Sequence, residues 1–117
     1  MRTLGLTLLF LTLTTALAAA EPSRVTERSQ FEQIVIGRDL TTLGVRLTVM
    51  ADGTIGGTAF GRNVTGQWQW EDGYFCRDLY YGTDDLGPNC QLVTIDGNRI
   101  QFTADKGAGQ SAKLRLR

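Results

Sequence analysis

Residues 44–57 read GVRLTVMADGTIGG. Val45, Leu47 and Val49 alternate with Arg46 and Thr48, the period of a strand that buries one face and wets the other. Asp52-Gly53 then supplies the left-handed torsions of a hairpin turn, and Ile55 resumes the apolar face. A three-residue connection sets Ile55 beside Val49. Asp-Gly punctuation returns at Asp72-Gly73 and Asp96-Gly97, and a last alternating segment lies near SAKLRLR, residues 111–117. Together these turns predict a mainly β chain, an antiparallel meander of about seven or eight strands. So short a sheet must curl, into a small barrel or a strongly coiled sheet. Fourteen glycines suit that curvature.

Upstream, TERSQFEQIVIGRDL, residues 26–40, has the helical period instead. Phe31, Ile34 and Val35 share one face, Thr26 or Ser29 is placed as N-cap, Glu32 would complete a capping box with Ser29, and Gly37 is the natural stop. This N-terminal helix is expected to plug or flank one end of the barrel.

The chain opens with Arg2, an apolar run from Leu4 to Leu13, and Ala18-Ala19-Ala20, the layout of a signal peptide with a small-residue cleavage site. Residues 1–20 are therefore expected to be a leader and residues 21–117 a single small β domain, located in the periplasm or secreted. A membrane anchor fits less well, because five threonines interrupt Thr3 to Ala20. No stable membrane span is expected once the leader is removed.

In an exported chain, two cysteines default to a disulfide. Cys76–Cys90 would close a loop of about 15 residues, for which chain entropy predicts roughly 3 kcal/mol. A thiol nucleophile needs a base such as histidine, and the sequence contains none. The same lack removes Ser–His–Asp chemistry and histidine-ligated zinc. GTIGGTAFG, residues 53–61, opens no helix and so lacks the N-terminus that would hold a nucleotide phosphate. Carboxylates are plentiful, but no pair is singled out for glycoside hydrolysis. No enzyme activity and no cofactor is expected.

Residues 21–117 hold eleven Lys or Arg against twelve Asp or Glu, and the basic residues are spread singly along the chain. That spacing argues against a nucleic-acid surface or an anionic-membrane patch.

The candidate site lies in GQWQWEDGYFCRDLYYG, residues 66–82, which contains both tryptophans and all three tyrosines. Trp68 and Trp70 share one strand face, where the plain expectation is core packing and the alternative is a ligand surface. A two-residue Asp72-Gly73 turn sets Trp70 opposite Phe75 and Trp68 opposite Arg77, and a three-residue loop sets them opposite Tyr74 and Cys76. By analogy with residues 44–57 the longer loop is preferred. Arg77 borders both the aromatics and the loop that the disulfide would close. That loop is expected to project with Tyr80, Tyr81, Asp84 and Asp85 near its tip. The two aspartates lack EF-hand spacing and read as solvated turn residues.

GRDLTTLGVRLTV, DGTIGG, VTGQWQWEDGYFCRDLYYG, NCQ and DKGAG together resemble a group of small exported alphaproteobacterial proteins of unknown function. Some members are labelled dihydrodipicolinate reductase. That reductase is a two-domain Rossmann-type enzyme with a histidine-rich catalytic segment; this chain has neither its length, its βαβ fingerprint nor any histidine, so only the label points to that activity. The main expectation is a non-enzymatic binding or scaffold module that takes a small apolar ligand or an envelope protein through Trp68, Trp70, Arg77, Tyr80 and Tyr81. The alternative is a periplasmic enzyme inhibitor of the small-barrel type, which the meander, the G-x-W strand and the single disulfide are similar to in outline.

Overall fold

The computed structural model describes residues 3–14 and 21–117. Arg2 and the expected cleavage site at Ala18-Ala19-Ala20 lie outside the described residues. Residues 3–14 carry no regular secondary structure and are exposed.

Ten strands follow: β1 (Ser23–Val25), β2 (Asp39–Thr42), β3 (Val45–Val49), β4 (Thr54–Ala59), β5 (Arg62–Glu71), β6 (Tyr74–Tyr81), β7 (Asp84–Asp85), β8 (Asn89–Asp96), β9 (Arg99–Thr103) and β10 (Ser111–Leu116), with helix α1 (Arg28–Val35) between β1 and β2. Eight of them run β2-β3-β4-β5-β6-β8-β9-β10, and β10 pairs with β2, so the antiparallel barrel closes. Closure removes the open edges that would otherwise invite pairing with another chain. The remaining two are short additions. β1 takes the edge of β8 where β6 leaves it: β6 covers Asn89 to Gln91 and β1 covers Val93 to Ile95. β7 folds back on the end of β6.

Alternation gives the barrel its core. Leu40, Val49, Ile55, Val64, Trp68, Phe75, Val93, Ile100, Phe102, Leu114 and Leu116 are buried. Full burial of each such side chain contributes roughly 1.5–3 kcal/mol. Two inward glycines allow neighbouring strand backbones to approach closely: a Cβ on Gly57 would strike the Arg46 carbonyl, and one on Gly66 the Asp78 carbonyl.

Helix α1 has only eight residues, too few for independent stability in water. It forms because Phe31 and Val35 enter the core completely, with Ile34 packed beside them, while Gln33 on the other side is exposed. The start differs from the sequence expectation. Glu27 is the N-cap and makes no side-chain cap bond. Glu32, expected to reach Ser29, pairs with Arg28 at 2.8 Å instead, and the Thr26 amide donates to Gln30 Oε1 at 3.3 Å. Gly37 follows the helix at φ 78°, the left-handed position a glycine stop supplies.

The three Asp-Gly sites are all turns, each of a different form. Val49 pairs with Ile55 around a three-residue loop closed by Met50 and Thr54. At the second site Glu71 pairs with Tyr74, so the loop has two residues, correcting the longer loop preferred from sequence. Asp72 and Gly73 both have positive φ, 51° and 84°, the geometry whose twist suits a two-residue hairpin. At the third site Asp96 pairs with Arg99, leaving Gly97 and Asn98 as the turn.

Candidate functional site

The two-residue turn decides what residues 66–82 build. Trp68 faces Arg77 and Trp70 faces Phe75 across β5 and β6. Both indoles meet the helix: the Phe31 ring lies 5.4 Å from Trp68, edge-on, and 5.0 Å from Trp70, stacked. Phe75 and Phe102 complete the cluster. Each indole N–H is used structurally, Trp68 Nε1 donating to the Met50 carbonyl at 2.8 Å and Trp70 Nε1 to the Thr26 carbonyl at 3.0 Å. Trp68, only 3 % exposed, fills the barrel interior, while Trp70 is partly buried and packs against that core.

Arg77 is half-buried beside this cluster. Its guanidinium donates to the Gly87 carbonyl at 2.8 Å, which ties β6 to the segment leading into β8. Burial lowers the Arg77 pKa from its ordinary value and the nearby Asp78 carboxylate opposes that shift, as desolvation and an opposite charge should. The cation over the Trp68 indole is Arg28, 5.0 Å from the ring centroid, a contact that aromatic faces favour.

Cys76 and Cys90 stand opposite each other in the β6–β8 register and are joined as a disulfide. Glu71 places a carboxylate oxygen within 4.8 Å of both sulfurs. Bridged sulfurs offer no thiolate, and thiolate is the metal-binding form, so this trio does not constitute a metal centre.

The loop between the cysteines differs from the expected projection. Arg77 to Tyr81 stay in the barrel ladder against β5, and Asp84 and Asp85 pair back onto Tyr81 and Tyr80. Tyr80 and Tyr81 are therefore strand residues rather than tip residues. The Arg62 guanidinium stacks on Tyr81 at 4.3 Å and pairs with Asp84 at 3.3 Å. Asp85 Oδ1 accepts the Gly87 amide at 2.8 Å, a local turn bond typical of aspartate.

Trp68, Arg77 and the disulfide converge on one outward cleft of about 610 Å³, which Arg28, Asp52 and Asn89 also line. Trp70, Tyr80 and Tyr81 are not part of it. Arg28, Asp52 and Asn89 were not legible as site residues, since a helix start, a hairpin turn and a distant strand meet there only after barrel closure. Asp52 is fully exposed, and its pKa is lowered first by the Thr54 hydroxyl and then by the Thr54 amide. Among the described residues, no buried side-chain N or O lacks a hydrogen-bond partner. The cleft thus offers guanidinium, carboxylate and amide groups suited to polar recognition.

Among the described residues, no helix is long and apolar enough to cross a membrane. The chain matches no family model, no curated protein and no solved structure.

Proposed function

We propose that this barrel is a non-enzymatic binding module of the exported compartment, and that it recognises an envelope protein through the outward cleft beside the disulfide. One observation carries the reading: the interior, where a small apolar ligand would sit, is occupied by Phe31, Trp68 and Phe75, all buried. Recognition then falls to the outer surface, where Arg28, Asp52, Arg77 and Asn89 border the cleft. The disulfide supports an oxidising location, and periplasmic export agrees with the leader pattern and with the resemblance to exported alphaproteobacterial proteins. The inhibitor reading uses the same surface and differs in its partner, an enzyme whose activity falls on binding. Its support is the filled core together with Leu86, exposed in the segment between β7 and β8.

A photo-crosslinker at Gln69, which lines the cleft, compared with one at exposed Gln110, tests the proposal in the periplasm of an alphaproteobacterial host. The expected result is a discrete protein adduct from Gln69 and none from Gln110. Equal labelling at both positions, or no adduct at either, overturns it.

A further inference from the structure

A second concavity, of about 710 Å³, lies on a different face and has a different character. Its lining includes Arg46, Arg99, Lys113, Arg115 and Arg117. In sequence these cations are dispersed, but strand pairing gathers them. Arg99 is the direct cross-strand partner of Arg115, Arg115 of Thr41, and Thr41 of Arg46. This row crosses four adjacent strands, and at about 4.8 Å per strand it spans roughly 14 Å.

The row is compensated at one end only. Arg46 pairs with Asp39 at 3.3 Å. Among the described residues, Arg99, Lys113, Arg115 and Arg117 make no ion pair. Asp96 sits across the hairpin from Arg99 without pairing with it. Like charges directly opposite in a sheet destabilise it, so Arg99 beside Arg115 is a cost that a bound anion would relieve. Glu71, Asp78, Asp84 and Asp85 lie on β5, β6 and β7, away from the row, and Asp39 on β2 is the acid that pairs with it, through Arg46.

Apolar side chains border the same concavity. Leu43, in the β2–β3 turn, is 91 % exposed and lines it. Phe60, in the β4–β5 turn, is 71 % exposed. The Phe60 amide donates to the Gly44 carbonyl at 2.8 Å, and Gly44 leaves the space that the Phe60 ring fills. The two side chains thus stand on adjoining hairpin turns at one end of the barrel, next to the arginine row. Exposed apolar residues beside a basic surface match a headgroup layer, which attracts the cations and accepts the apolar tips.

The geometry points to a peripheral docking surface for a bilayer containing anionic phospholipid, with Leu43 and Phe60 entering the headgroup boundary and the Arg99–Arg115–Arg46 row on the lipid phosphates. This goes beyond the cleft proposal and uses none of its residues.

The full chain is tested against vesicles of phosphatidylcholine alone and vesicles that also contain phosphatidylglycerol. The apolar leader is present in every variant, so the quantity read is the anionic-over-neutral ratio of affinities. The expected result is a ratio above one that falls as salt is raised, as screening requires. The double variant Arg99→Glu with Arg115→Glu should lower affinity for the anionic vesicles about tenfold or more. Leu43→Ser with Phe60→Ser should weaken binding while keeping the salt dependence. Lys113→Glu with Arg117→Glu, at exposed positions, repeats the test should the first double variant fail to fold. Equal affinity for both vesicle types, an unchanged ratio in a folded charge-reversal variant, or binding to a single-stranded oligonucleotide without binding to anionic vesicles, would overturn the inference.

Discussion

Phe31 meets Trp68 edge-on, with 5.4 Å between ring centroids, and this contact joins the helix to the barrel wall. The arrangement is one of the geometries that aromatic quadrupoles favour. Phe31→Ala should therefore cost about 3–5 kcal/mol, the range for emptying a buried aromatic site. Trp68→Phe keeps most of the packing but loses the bond to the Met50 carbonyl, and should cost about 1 kcal/mol more than volume change alone explains. Denaturant unfolding of both variants measures this. A Phe31→Ala loss below 1 kcal/mol would mean that the helix does not anchor the fold.

The disulfide lies at a short seam. β6 and β8 pair at three positions, with Cys76 and Cys90 at the centre. Cys76→Ser with Cys90→Ser should lower unfolding free energy by about 2–4 kcal/mol. Amide exchange should accelerate first at residues 75–77 and 89–91. Uniform acceleration over the whole barrel would mean that the bridge acts on the unfolded chain and not on the seam.

For Arg77 the observed register predicts a structural penalty. Its bond to the Gly87 carbonyl should make Arg77→Ala destabilising by about 1 kcal/mol, with faster amide exchange at Leu86 and Gly87. Unchanged denaturation and exchange would show that this bond contributes nothing.

Asp52 gives the pH dependence. Its folded-state pKa is lowered from 3.8 by the Thr54 hydroxyl and amide, so its stabilising contribution is present above 3.8 and fades as pH falls through the lowered value. Thr54→Val removes the hydroxyl bond of 2.6 Å and should raise the Asp52 midpoint in an NMR titration toward 3.8. A midpoint that does not move would assign the shift to the backbone amide.

Local chemistry made much of this molecule legible from the chain. Alternation at Val45, Leu47 and Val49, the three Asp-Gly sites, and the helical spacing of Phe31 and Val35 are properties of neighbouring residues, and they determined strands, turns and the buried helix face. The pairing of two cysteines likewise needed no third dimension. Closure of the barrel, the length of the Asp72-Gly73 loop, and the meeting of Arg28 with Trp68 depended on contacts between distant residues. One residue of register turned Arg77 from the outer face to the tryptophan side, because successive strand residues point to opposite faces. The arginine row followed the same logic: alternation could place Arg46 on the outer face of its strand, but only the order in which the strands pair made Arg46, Arg99 and Arg115 neighbours.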